Sequence, residues 1–137
     1  MPAQLNLRLD WSEMDMFGHI NNVSYFKFIQ ASRLNYWEAI GLTQLHGNMG
    51  IGPVLASVKC DFKKQLRYPG DIRIESSLDF IKNSSFGLVH RIFDAEDQLA
   101  AIANDIIVAY NFKEQMPVII PDDIRQAIEK LEGGLPV

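Results

Sequence analysis

The sequence has little of what a secreted or membrane protein needs. It holds one cysteine, Cys60, in 137 residues, so no disulfide can form within the chain. Domains without disulfides are typical of a reducing compartment, and we predict a cytoplasmic protein. The longest apolar runs, such as 99–103, are far shorter than the roughly 20 residues of a transmembrane helix. Arg8, Asp10 and Glu13 interrupt the N-terminal segment where a signal peptide would be apolar.

Positive charge is also scarce. The chain has 13 Lys and Arg against 17 Asp and Glu, a net charge of −4 and a pI near 5.3. This balance does not favour nucleic acid or an anionic membrane, and we predict neither as a partner. The three histidines and the cysteine match no metal-ligand spacing, so we predict no metal and no cofactor. The length and the 47% hydrophobic content predict one globular domain over 1–137.

The alternation of apolar and polar residues predicts an antiparallel set of strands. The predicted strands are 5–11, 54–62, 72–80, 86–93 and 99–112. Leu5, Leu7, Leu9 and Trp11 are predicted to share the half-buried face of the first strand. The glycine-rich stretch 42–52 predicts a loop, and a short amphipathic helix is predicted from Pro121 to Gly133.

One long helix is predicted from Asn21 or Asn22 to Ile40, with Gly41 at its C-terminal end. Apolar residues cover most of its circumference and leave only a narrow polar edge. Such a helix must be buried on most sides, and in a chain this small only a curled sheet can bury it. We therefore predict an α+β fold in which an antiparallel β-sheet wraps around a long central α-helix.

The segment 15–25 joins a carboxylate to the start of that helix. Asp15 precedes the helix, and Gly18 permits a close approach between the two. The first amides of a helix have no partners in the helix and favour negative charge. A carboxylate and an electrophilic donor are the minimum that acyl transfer needs. On the residues alone, a solvated loop carboxylate or a cap explains Asp15 equally well.

The pattern D-x-x-G-H-[VI]-N-N-x-x-Y resembles the hotdog-fold acyl-CoA thioesterases of the 4-hydroxybenzoyl-CoA thioesterase type. It is carried by Asp15, Gly18, His19, Ile20, Asn21, Asn22 and Tyr25. The resemblance implies hydrolysis of an acyl-CoA, with Asp15 as base or nucleophile and an amide of Asn22 or a neighbour polarising the carbonyl. It also implies a homodimer or homotetramer whose protomers pair sheet edge to sheet edge, with active sites at the interface. Acyl carrier protein remains open as the carrier.

The other motif residues have two interpretations each. His19 would orient Asp15 or water, or would simply pack the loop against the helix. Gly18, Asn21 and Tyr25 are candidates for substrate binding, although asparagine is also a common helix cap and tyrosine a common core residue.

A cluster of cations follows the second predicted strand. Lys63, Lys64 and Arg67, together with Lys59, are candidates for binding the phosphates of coenzyme A. A solvated strand face explains the same charges.

Two other functions are possible on the same fold. A hydratase or dehydratase resembles D-x-N-P-x-H, but here Asp15 and His19 are only four positions apart, Phe17 replaces the asparagine, and no proline intervenes. A non-catalytic acyl-thioester-binding scaffold is the second alternative, and the presence of Asp15 argues against it.

Overall fold

A computed structural model describes residues 3–135, apart from the side chains at positions 46 and 48. The elements are β1 (Ala3–Arg8), α1 (Asn22–Ala39), α2 (Leu42–Met49), β2 (Ile51–Phe62), β3 (Asp71–Ile81), β4 (Ser85–Phe93), β5 (Leu99–Asn111), β6 (Met116–Pro117) and α3 (Asp122–Glu132). The strands form one antiparallel sheet in the order β1-β3-β4-β5-β2, and β6 pairs with β5. The sheet curls around α1, which confirms the predicted α+β hotdog fold. No helix in the described part is long and apolar enough to cross a membrane.

Two local predictions were wrong. The stretch predicted as a loop contains α2, because Leu42 and Leu45 lie one turn apart and are both buried in the core. The first strand ends at Arg8, and Trp11 lies in a 3-10 turn with 68% of its surface exposed. Asp10 caps that turn by accepting a hydrogen bond from the Ser12 amide, which breaks the alternation.

The rotation of α1 is not set by its hydrophobicity, because apolar residues lie on both its buried and its exposed side. Its buried face includes Ser32 and Arg33, whereas Val23, Phe26 and Leu34 are exposed in the protomer, Val23 to 77%. The prediction that sheet contacts bury this helix on most sides was therefore wrong for the single protomer. Burial of apolar area alone does not select this rotation of the helix.

The core consists of two apolar clusters, and buried polar residues lie between them. One cluster surrounds Ile29 near the start of α1, and the other surrounds Tyr36 near its end. Between them lie Ser32, Arg33, Ser76, His90 and Asp105, which we call the polar layer. Ser76, His90 and Asp105 lie on β3, β4 and β5. Two residues before or after each of them in its strand stands a side chain of one cluster, and on the other side a side chain that belongs to or packs against the second cluster. The polar layer thus crosses the whole interior.

At a bulge in β3, a backbone amide of the strand donates to a side chain of the last helix. The register of β3 against β4 shifts between Leu78 and Phe80. The Leu78 amide donates to Glu132 Oε1 at 3.0 Å, and the Tyr36 hydroxyl donates to Glu132 Oε2 at 2.9 Å. Glu132 therefore connects α3 both to the sheet and to α1.

Candidate active site

The loop before α1 holds the Asp15 carboxylate by one oxygen. Asp15 Oδ1 accepts hydrogen bonds from the amides of Phe17 at 2.9 Å and His19 at 3.1 Å. The backbone closes the same turn, because the Asp15 amide donates to the His19 carbonyl at 2.7 Å. Gly18 has φ +80°, a conformation that suits glycine. Within residues 3–135, Asp15 Oδ2 accepts no hydrogen bond, so one carboxylate oxygen stays available for chemistry.

The start of α1, seven residues after Asp15, presents two backbone amides without a partner. Asn21 caps the helix: its Oδ1 accepts from the Ser24 amide at 2.8 Å, and its Nδ2 donates to the Glu13 carbonyl at 2.8 Å. The Asn21 side chain is thus used by the fold itself. The amides of Asn22 and Val23 have no acceptor in the helix, and no other described residue accepts from them. The helix dipole makes this position favourable for a developing negative charge.

An open cleft of about 380 Å³ gathers most of the predicted site. It is lined by Asp15, His19, Ile20, Asn22, Tyr25, Phe62, Lys63, Lys64 and Gln65. Gly18 and Asn21 do not line the cleft themselves, but each is next in sequence to a residue that does. Arg67 lines a neighbouring cavity of about 350 Å³, which shares Lys64 and Gln65 with the cleft. The His19 ring is half-buried and makes no hydrogen bond with the described residues.

Tyr25 attaches the end of β2 to the start of α1. Its side chain is 2% exposed, and its hydroxyl accepts from the Leu66 amide at 3.0 Å and donates to the Lys64 carbonyl at 3.3 Å. Burial raises the pKa of this phenol. Its ring meets Phe62 edge to face at 5.0 Å between centroids. Tyr25 therefore supports the wall of the cleft through both its ring and its hydroxyl.

The predicted cations differ in how available they are. Lys64 Nζ pairs with Asp94 Oδ2 at 2.7 Å and also donates to Gln98. The hydrogen bond from Lys64 lowers the pKa of Asp94. Lys59 pairs with Asp61 at 3.7 Å. Lys63 and Arg67 make no ion pair with the described residues, so they are the cations available to an anionic ligand.

The single cysteine does not line the cleft. Cys60 is half-buried, and burial, with a smaller effect of Asp61, raises the pKa of its thiol. A raised thiol pKa makes it a poor nucleophile at neutral pH. No three His, Cys, Asp or Glu side chains of the described residues converge in a metal-binding arrangement.

Comparison with known proteins assigns the family. The model of the thioesterase-like superfamily matches residues 9–128. The chain belongs to the thioesterase-like superfamily. This membership confirms the family and the enzyme class, a thioester hydrolase, that the motif predicted.

Three relatives of this superfamily member illustrate the likeness. An uncharacterised Bacillus subtilis protein, YsmA, is 32% identical over 77 residues, which are 56% of this chain and 48% of that protein. The long-chain acyl-CoA thioesterase FadM of Escherichia coli is 19% identical over 93% of this chain and 98% of its own length. A DHNA-CoA thioesterase structure from Staphylococcus aureus has a TM-score of 0.85 at 17% identity, over 96% of this chain and 91% of that one. The structural likeness extends over the whole hotdog fold.

Proposed function

We propose that this superfamily member hydrolyses acyl-CoA thioesters to a free acid and coenzyme A, in the cytoplasm. The observation that carries the proposal is the shared cleft: Asp15, with one oxygen unengaged, and Asn22, the first residue of α1, line the same opening. The names of FadM and of the DHNA-CoA thioesterase support coenzyme A as the carrier. Membership of the family supports thioester hydrolysis as the reaction.

The chemistry needs only these two groups. The thioester carbonyl oxygen accepts a hydrogen bond from the Asn22 or Val23 amide, and the negative charge that develops on it is stabilised there. Asp15 either removes a proton from water, which attacks the carbonyl carbon, or attacks it directly to give a mixed anhydride that water then opens. In both routes the carbon–sulfur bond breaks and the thiolate leaves. A thiol pKa of about 8.5 makes the thiolate a good leaving group, so no strong general acid is required.

A second protomer completes the cleft in this proposal. β2 is an edge strand of the sheet, and Phe62 at its end and Phe26 on α1 meet edge to face while both remain exposed. An unpaired edge flanked by exposed apolar side chains favours pairing with a second copy. We propose a homodimer joined along β2, with the dimers free to associate into tetramers.

Asp15→Asn tests the mechanism, because asparagine can keep the two hydrogen bonds that hold the turn. We expect kcat to fall by about 10²–10⁴ on a panel of short, medium, long and aryl CoA esters, measured by thiol release. Asp10→Asn is the matched control, since Asp10 also caps a nearby turn through one oxygen but lies outside the cleft. Asp10→Asn should keep the wild-type rate. If Asp15→Asn turned over the esters at the wild-type rate, the mechanism would be refuted. If the wild-type protein bound the esters without hydrolysing them, it would be a scaffold.

A further inference from the structure

Four members of the polar layer form a continuous hydrogen-bonded network inside the protein. Ser32 Oγ lies 2.8 Å from His90 Nδ1, and His90 Nε2 lies 2.7 Å from Asp105 Oδ2. Arg33 holds the same carboxylate in a fork, with Nε 2.7 Å from Oδ2 and Nη2 3.1 Å from Oδ1. None of the four is more than 6% exposed. We call these four residues the polar network; it connects α1 to β4 and β5.

The order of these contacts is that of a hydrolytic triad, but the network has no access to substrate. A serine, a histidine and an aspartate bonded in sequence activate the hydroxyl in many hydrolases. Here Ser32 is 1% exposed and His90 is 0% exposed. Ser32 also lies ten residues after Asn22, which is about 15 Å along a helix axis. A thioester held at the start of α1 therefore cannot reach the Ser32 hydroxyl.

The network supplies what the hydrophobic pattern of α1 lacks, which is a preference for one rotation about the helix axis. Apolar residues occur all around α1, and Val23, Phe26 and Leu34 point away from the core of the protomer. Several rotations of such a helix bury similar apolar area. Hydrogen bonds are directional. Ser32 and Arg33 can bond His90 and Asp105 in only one of these rotations. The network thus favours the observed rotation, as does the Tyr25 hydroxyl at the start of α1.

We propose that the polar network is a positioning device for the catalytic amides. It fixes the rotation of α1 and thereby the direction of the Asn22 and Val23 amides. A rotation of about 25° moves a backbone atom on the helix radius of about 2.3 Å by about 1 Å. A misplacement of about 1 Å at a reacting group costs about 10²-fold in rate. This inference rests on the proposed thioesterase function of the cleft, and Ser32, Arg33, His90 and Asp105 are positioning residues within it.

Ser32→Ala tests the proposal with a small change. It removes the bond from α1 to His90 and leaves the ion pair in place. Tyr36→Phe is the matched control, because it also removes a buried hydroxyl of α1, four residues on, but one that bonds α3 rather than the sheet. We expect Ser32→Ala to lower kcat for a CoA ester at least tenfold with KM within twofold of wild type. Tyr36→Phe should change neither constant by more than twofold, at a similar loss of melting temperature.

A second readout is independent of turnover. In amide NMR spectra, Ser32→Ala should shift the Asn22 and Val23 resonances, and Tyr36→Phe should leave them in place. Equal kcat in the two variants, or unmoved Asn22 and Val23 signals in Ser32→Ala, would overturn the proposal. A wild-type protein that hydrolyses no ester of the panel would instead reject the thioesterase function. The amide signals would then still show whether the network sets the rotation of α1.

Discussion

Asp105→Asn is the most informative perturbation of the core. The substitution keeps the volume of the side chain but removes the charge that balances Arg33, which is 6% exposed. Breaking a buried pair by removing one partner costs about 3–5 kcal/mol, because the remaining charge is left without compensation. For a domain of 137 residues this corresponds to a fall of about 10–17 °C in melting temperature at pH 7.

The loss of stability in Asp105→Asn should be larger at neutral pH than in acid. Burial acts to raise the pKa of Asp105, but the hydrogen bonds from His90 and Arg33 outweigh it and hold the pKa below its ordinary value. A lowered pKa in the folded state contributes stability that is fully present above the unfolded pKa. This stability is lost as the pH falls through the folded pKa. The stability difference between wild type and Asp105→Asn should therefore shrink below about pH 4.

Chemical unfolding at fixed protein concentration, from pH 7 down to pH 3, measures both effects. Asp97→Asn is the control, since Asp97 pairs with Arg73 at 2.5 Å but its side chain is 71% exposed. This control should change stability little, because solvent screens the pair. A loss below about 1 kcal/mol for Asp105→Asn at pH 7, or a difference that does not narrow in acid, would refute the reasoning.

Three further predictions concern packing, ligand binding and assembly. In Gly87→Ala the new Cβ would lie 2.2 Å from Phe80 Cε1, so unfolding should show a loss of about 1–3 kcal/mol. Lys63→Glu should raise KM for CoA esters more than for thioesters without the nucleotide, and an equal rise for both would exclude a phosphate-binding role for Lys63. Lys130→Glu, outside the cleft, should leave both KM values unchanged. Size-exclusion chromatography at micromolar concentration should show a dimer or tetramer, and a monomer would contradict pairing along β2.

The sequence predicted those parts of the molecule that short-range patterns determine. Period-two alternation located all the long strands, and Asn21 was identified as a possible helix cap. The family motif singled out the residues between Asp15 and Tyr25, and several of them line one cleft because a loop and the helix that follows it are adjacent in space as well as in sequence. Lys63 and Lys64 reach the same cleft because Tyr25 bonds the segment that follows β2.

The polar network could not be predicted in the same way. Arg33 and Asp105 are 72 positions apart, and only the sheet order brings them together. The available signal was a charge at a position where the alternation of the strand predicts a buried apolar residue, Asp105 between Ala103 and Ile107. The rotation of α1 could not be predicted for the same reason, because it depends on bonds to distant strands rather than on the composition of the helix.

The carboxylate of Glu132 makes two donors elsewhere in the fold depend on the C-terminal helix. Glu132 follows every strand of the sheet in the chain, yet it accepts from the Leu78 amide in β3 and from the Tyr36 hydroxyl in α1. These two donors therefore depend on an acceptor that the sheet and α1 do not contain. Wherever α3 is undocked, water must satisfy both groups, so docking of α3 removes water from this corner of the protein.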